Sequence, residues 1–83
     1  MQISDYNIIT SNIIEKNEIG LFLDIRSDNN LIENNTIIEN NNNSSFSGIY
    51  LGTNSSHNII MNNTITDNVA GSHSAIYLHG SNN

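Results

Sequence analysis

The sequence predicts an all-β fold, a parallel β-solenoid, on three observations. The phrase N-x-I-x-x-N-x-I-x-x-N occurs three times without exception, at 7–17, 30–40 and 58–68. Each copy is followed by a phrase with apolar residues at period two: Gly20-Leu21-Phe22-Leu23, Gly48-Ile49-Tyr50-Leu51 and Ala75-Ile76-Tyr77-Leu78. Within the first phrase the isoleucines and the asparagines recur five residues apart, which is not a helical spacing, and both are mediocre helix formers. Short strands broken by Asn or Gly corners and recurring at a fixed period describe stacked coils.

The coils run over 7–29, 30–57 and 58–83, within a single repeat segment spanning 1–83. Lead asparagines Asn7 and Asn30 lie 23 residues apart, and Asn30 and Asn58 lie 28 apart. The difference sits at one corner: two residues separate Asn17 from Gly20, seven separate Asn40 from Gly48, and six separate Asn68 from Ala75. Insertions at one corner of a repeat share one face of the assembly. A base coil spans roughly 75 Å of strand at ~3.3 Å per residue, enough for a three-sided prism, with coils stacked ~4.8 Å apart.

Stacking then predicts inward columns Ile9/Ile32/Ile60, Ile14/Ile37/Ile65, Leu21/Ile49/Ile76 and Leu23/Leu51/Leu78. Ile25 extends the period-two run of Leu21 and Leu23. The asparagines are expected at the corners, each amide bonded to backbone and to the asparagine of the next coil, because a tight corner otherwise buries unpaired polar groups. The column Ile8/Leu31/Ile59 is apolar yet points outward, which predicts cover by a loop or subunit.

Composition narrows the function classes. Charged residues are only 12% of the chain and the net charge is −6, with Lys16 and Arg26 the two basic residues. Nucleic-acid binding needs a basic face to displace counterions from phosphates, so it is excluded, and anionic membrane surfaces are disfavoured. No apolar run approaches the ~20 residues of a membrane-spanning helix. With no cysteine in the chain, disulfides and thiolate metal sites are excluded. Asn-rich disorder is a rival reading of the composition, but low-complexity tracts do not hold Ile and Asn in phase over so long a stretch.

The paired phrases, as in Asn58-Ile59-Ile60-Met61-Asn62-Asn63-Thr64-Ile65 and Gly48-Ile49-Tyr50-Leu51, resemble the parallel β-helix repeats of the NosD family. That family lies within the wider pectate-lyase-like group, and the resemblance covers about residues 5–83. It implies a right-handed parallel β-helix of about three coils, in line with the general preference of parallel crossovers. It also implies an extracellular, cell-surface or periplasmic setting. Such repeats recur in carbohydrate-processing enzymes, large surface proteins, and periplasmic proteins associated with copper-site maturation.

Three coils are near the minimum for a solenoid, and neither end carries a recognisable polar cap. The chain stops two residues before the next Asn-x-Ile strand is due. The sequence is therefore read as a segment of a longer β-helix, partnered by flanking coils or by self-association through open ends.

Two columns carry candidate chemistry. Phe22, Tyr50 and Tyr77 form an outward aromatic column, which suits sugar rings by apolar contact, the tyrosine hydroxyls adding hydrogen bonds; the same column also serves simply to tie coils together. Glu39 and Asp67 fall at matching positions of consecutive coils, below Lys16 of the first. An acid/base pair or an oxygen-ligand site needs such proximity, whereas exposed carboxylates are usually only solvated. Asp24, Arg26 and Asp28 read as a surface charge network. His57, His73, His79, Met1 and Met61 show no converging copper pattern, and no cofactor is predicted. The leading expectation is a non-catalytic scaffold or binding module with a polysaccharide or glycan partner. The alternatives are part of a lyase, hydrolase or epimerase whose active site lies elsewhere, and a NosD-like periplasmic protein.

Overall fold

The computed structural model describes residues 2–43, 45–79 and 83. In chain order the strands are β1 (Gln2–Ile3), β2 (Ile8–Thr10), β3 (Ile13–Glu15), β4 (Leu21–Leu23), β5 (Leu31–Glu33), β6 (Thr36–Ile38), β7 (Asn41–Asn42), β8 (Ile49–Leu51), β9 (Ile59–Met61), β10 (Thr64–Thr66), β11 (Val69–Ala70) and β12 (Ile76–Leu78). They assemble as β2-β5-β9, β3-β6-β10 and β1-β4-β8-β12, with a small fourth sheet of β7 and β11. Every pairing is parallel, and equivalent residues of successive coils stand opposite one another. This is the β-helix that the repeat predicts.

The strands stay short because each ends at a corner built the same way. All nine ladder asparagines follow a residue with positive φ: Tyr6, Ser11, Lys16, Asn29, Asn34, Glu39, His57, Asn62 and Asp67, at 53–58°. One left-handed residue turns the chain sharply, and the asparagine behind it points its amide inward. In the middle coil Asn30, Asn35 and Asn40 are almost fully buried, at 0–1% exposure.

Burial of those amides is tolerated because they are satisfied between coils. Asn40 Oδ1 accepts the Asn17 backbone N–H (3.0 Å), while its Nδ2 donates to Ile14 O (3.1 Å) and to Asn68 Oδ1 (2.9 Å). Asn35 repeats the pattern with Asn12, Ile9 and Asn63, and Asn30 with Asn7 and Asn58. Each rung thus accepts from a backbone N–H of the coil beneath and donates its own amide to the rung above.

A fourth corner escaped the repeat reading. Arg26 and Asn54 also have positive φ, at 61° and 64°, and precede Ser27 and Ser55, both buried. The Ser27 N–H donates to Ser55 Oγ (3.2 Å), whose hydroxyl donates to Asp24 O (2.7 Å). Beside it, Asp5 Oδ1 accepts the Asp28 N–H (2.7 Å) and Asp28 Oδ1 the Ser56 N–H (2.6 Å). The signal was present in the sequence as Ser4-Asp5, Ser27-Asp28 and Ser55-Ser56 before each lead asparagine. The acidic residues here bond backbone amides, so Asp28 is part of the corner and not only of a surface charge network.

The core is one column of Ile and Leu from three sheets: Ile9, Ile14, Leu21, Leu23, Ile32, Ile37, Ile49 and Leu51. Each fully buried member contributes roughly 1.5–3 kcal/mol of hydrophobic stabilisation. Third-coil members of the same columns are less covered: Ile60 and Ile65 are half-buried, and Ile76 and Leu78 are 42% and 50% exposed, since the third coil is stacked on one side only. Ile25 does not continue the strand. β4 ends at Leu23, and Ile25 lies in the following turn, 63% exposed. The outward column is uncovered at both ends, with Ile8 71% and Ile59 55% exposed.

The structure extends the pattern at both ends of the chain. β1 pairs with β4 in register Gln2↔Phe22 and Ile3↔Leu23, a strand before the first coil. Asn83 takes the next rung of the first ladder, accepting the Asn58 N–H and Nδ2 at Oδ1 (both 2.8 Å) and donating Nδ2 to Ser55 O (3.0 Å). The rung is reached 25 residues after Asn58, two residues earlier than a constant run from the Gly/Ala position to the lead asparagine requires. Residues 80–82 lie outside the described residues.

Two variants check this account. Replacing Asn40 by Leu leaves the Asn17 N–H without its acceptor and Asn68 Oδ1 without the Asn40 amide. It is expected to destabilise by about 3 kcal/mol in urea unfolding followed by circular dichroism, against about 1 kcal/mol for Asn12→Ala at the exposed first rung. Equal losses would show that the buried ladder has no special role. At Gly48 an added Cβ would fall on the Ala75 carbonyl group, with Ser74 O only 2.8 Å away. Gly48→Ala should therefore strip hydrogen-exchange protection from β12 while sparing β2 and β5; protection unchanged along β12 would contradict the packing.

Candidate functional site

The outward side chains of β4, β8 and β12 are Phe22, Tyr50 and Tyr77, placed opposite one another by strand register. Their inward neighbours Leu21/Leu23 and Ile49/Leu51 are fully buried, which fixes each strand and aims the central ring at the outer face. Phe22 and Tyr50 stack with centroids 4.9 Å apart and planes 10° from parallel; Tyr50 and Tyr77 are 5.4 Å apart and tilted by 39°.

The ladder is not a bare column. The corner insertions of coils two and three fold across it, stitched together as a layer of their own. β7 pairs with β11, Ser45 O accepts the N–H groups of Ser72 and His73, the Ser47 N–H donates to His73 O, and Phe46 and His73 form a parallel bridge. This layer lays one ring flat on the ladder ring of its own coil. Phe46 stacks on Tyr50 at 4.1 Å and 12°, and His73 on Tyr77 at 4.0 Å and 20°. Phe46 lies beside the ladder rather than within it, being nearly equidistant from Phe22 (6.3 Å) and Tyr77 (5.9 Å). His79 completes the cluster: its Nδ1 is 2.8 Å from the Tyr77 hydroxyl.

Sequence reasoning found the inner row and missed Phe46 and His73. Phe46 and His73 each sit two positions before the second phrase of their coil, a common aromatic placement in both insertions that the uneven loop lengths disguised. Burial first, then Tyr77 and Asp24, raise the Tyr50 hydroxyl above the usual phenol range, so it remains a neutral donor at physiological pH.

Glu39 and Asp67 stand at equivalent corners of consecutive coils, both exposed, and both in the left-handed conformation that precedes a ladder asparagine, as Lys16 does in the first coil. The corner explains where they are; it does not ask for a carboxylate. His57 occupies a corner of a different column, away from the pairing of His73 and His79 about Tyr77. Met61 ends β9 and is exposed, and Met1 lies outside the described residues. Among the described residues no group of three or more His, Cys, Asp or Glu side chains is arranged to hold a metal ion. An open apolar hollow of about 380 Å³ lies at the far end of the stack, between Asn58, Ile59, Ile60, Ile76, Leu78 and Asn83.

The parallel coils, the ladders and the aromatic outer face define a β-helical repeat protein. The chain belongs to the family described as right handed beta helix region, whose model matches residues 1–83. No curated protein and no solved structure matches it.

The corner reading of Glu39 has a direct check. Because a non-glycine residue in the left-handed region costs energy that glycine does not, Glu39→Gly should raise stability by roughly 0.5–1 kcal/mol after allowing for the added chain entropy. A loss of stability in thermal unfolding would mean that the Glu39 carboxylate makes an interaction the corner geometry does not account for.

Proposed function

We propose that this β-helix is a non-catalytic scaffold and binding module, carbohydrate-associated, within an exported or cell-surface protein. The observation that carries the reading is the two-row aromatic surface of Phe22, Tyr50, Tyr77, Phe46 and His73 on one outer face. Flat rings with polar tips recognise sugars by apolar contact with the pyranose face and hydrogen bonds at its edge. Tyr50 and Tyr77 supply hydroxyls and the insertion layer holds the rings in place, so little ordering is needed on binding. The acidic charge of −6 argues against polyanionic partners.

Two other readings stand beside this one. The enzyme reading, in which this chain is part of a polysaccharide lyase, hydrolase or epimerase, is favoured by Glu39 and Asp67 recurring in consecutive coils; it expects Glu39→Gln with Asp67→Asn to reduce polysaccharide turnover. The NosD-type reading rests on the repeat phrases and expects copper to perturb His73 and His79.

Affinity electrophoresis of the chain in gels containing neutral polysaccharides, such as a galactomannan or a xyloglucan, tests the binding reading. Retardation is expected, and is expected to fall in Phe46→Ala, which removes an outer-row ring without touching the strands. Tyr50→Ala is the poorer probe, because Tyr50 is part of a core strand and neighbours four rings. Unretarded migration in every gel would leave a purely structural spacer.

A further inference from the structure

We propose that Phe22 is the ring-binding subsite of the aromatic surface and that it takes the apolar face of a neutral pyranose; this rests on the carbohydrate reading above.

The three coils are unequal before the second phrase. Coils two and three carry insertions of seven and six residues before the Gly/Ala position, whereas the first coil has only Glu18 and Ile19 there. Each insertion delivers one ring onto its own ladder ring, Phe46 onto Tyr50 and His73 onto Tyr77, at 4.1 Å and 4.0 Å. The first coil has no chain with which to do this. Among the described residues the rings near Phe22 are Tyr50, its ladder neighbour at 4.9 Å, and Phe46, displaced by 6.3 Å. Rings therefore lie on the second and third rungs, and among the described residues no ring lies on the first in the same way.

The first rung has the form of a ring site. Phe22 is the floor, half-buried and held by the fully buried Leu21 and Leu23 on either side. Phe46 flanks it, with its plane 5° from that of Phe22 and its centroid 6.3 Å away. A flat ring resting on Phe22 would thus do for the first rung what Phe46 does for Tyr50 and His73 for Tyr77. Ring–ring contact of this kind is favourable beyond the area it buries. This flank is rigid, since the Phe46 segment is bonded to the next insertion through the Phe46–His73 bridge and the Ser47 N–H to His73 O.

Charge selects among ring ligands. Glu18 is exposed in the short corner before β4, and Asp24 directly follows β4. The two cations, Lys16 and Arg26, belong to corners outside the strand. A uronate would bring its carboxylate into this acidic surround without a dedicated basic partner, an unfavourable pairing at low salt. A neutral sugar carries no such cost, and its C–H face matches Phe22.

The test is a heteronuclear NMR titration of the 83-residue chain with four probes: cellohexaose, mannohexaose, hexagalacturonic acid and benzyl alcohol. Wild type is compared with Phe22→Leu, which keeps an apolar side chain but removes the flat ring, and with Phe46→Leu. At least one neutral hexaose is expected to shift the Phe22 ring and the β4 amides, with affinity falling about tenfold in Phe22→Leu. Hexagalacturonic acid is expected to bind more weakly than the neutral chains at low salt. Neutral binding that persists in Phe22→Leu, with shifts centred on Phe46 and His73, overturns the subsite and leaves the carbohydrate reading intact. Tighter binding of hexagalacturonic acid overturns the ligand class. Binding of benzyl alcohol with neither neutral hexaose overturns the sugar in favour of an aromatic ligand, and silence with all four probes overturns this proposal and the carbohydrate reading together. Unchanged amide spectra outside β4 and its neighbours establish that Phe22→Leu is folded; if it is not, the Phe22 ring shifts in wild type decide the same question.

Discussion

The structure depends on one interaction, the hydrogen bond from a corner backbone amide to the side-chain carbonyl of the asparagine one coil above. A prism with short sides turns so often that many backbone groups fall at corners, where strand pairing cannot reach them. Asn30, Asn35 and Asn40 solve this with a side chain that accepts from the coil below and donates to the coil above, Asn35 and Asn40 donating also to the backbone of the coil below. The solution works only if the asparagines of successive coils are in line. That requirement sets the register of every sheet, since a slip of one residue would break the ladder and turn the Ile and Leu columns outward together.

The corner imposes a second condition, on conformation. Each ladder asparagine follows a left-handed residue, and none of those positions is glycine. The cost of holding Tyr6, Lys16, Glu39 or Asp67 there is met by the amide bonds that the turn makes possible. The chain instead places glycine at Gly20 and Gly48, where φ is ordinary and the constraint is space: a side-chain carbon at either would overlap the backbone of the next coil. Two kinds of corner thus use opposite strategies. One bends the backbone and keeps the side chain, and the other keeps the backbone and gives up the side chain.

Fixed register is also what makes a surface feature possible. Phe22, Tyr50 and Tyr77 line up because Leu21, Leu23, Ile49 and Leu51 are buried beneath them, so the ladder of rings is a by-product of the core. The insertions add what the core cannot. They branch at the one corner where extra residues leave the prism undisturbed, pair with each other, and return a ring to the ladder. The result is a surface whose outer row follows loop length rather than the repeat, which is why its first position differs from the other two.

How much of this was legible follows from the range of the interactions. The three-sided coil, the inward columns, the asparagine ladder and the outward line of Phe22, Tyr50 and Tyr77 could be read from the chain, because a repeat that stacks on itself makes spatial neighbours of equivalent sequence positions. Glu39 and Asp67 were legible as a column for the same reason, though their left-handed conformation was not. The sequence alone did not place β1 beside β4 or Asn83 on the fourth rung, since each lies where the repeat phrase is incomplete and only stacking reveals the partner. Nor did it bring Phe46 onto Tyr50 and His73 onto Tyr77. Insertions of unequal length keep phase only where they rejoin the coil, two residues before the second phrase, and the stacking of their rings is decided by the contacts they find after folding back. The amino-acid pattern determined the solenoid because every coil repeats the same local rule; the tertiary structure decided the outer aromatic row because the loops keep phase with the coil only where they rejoin it.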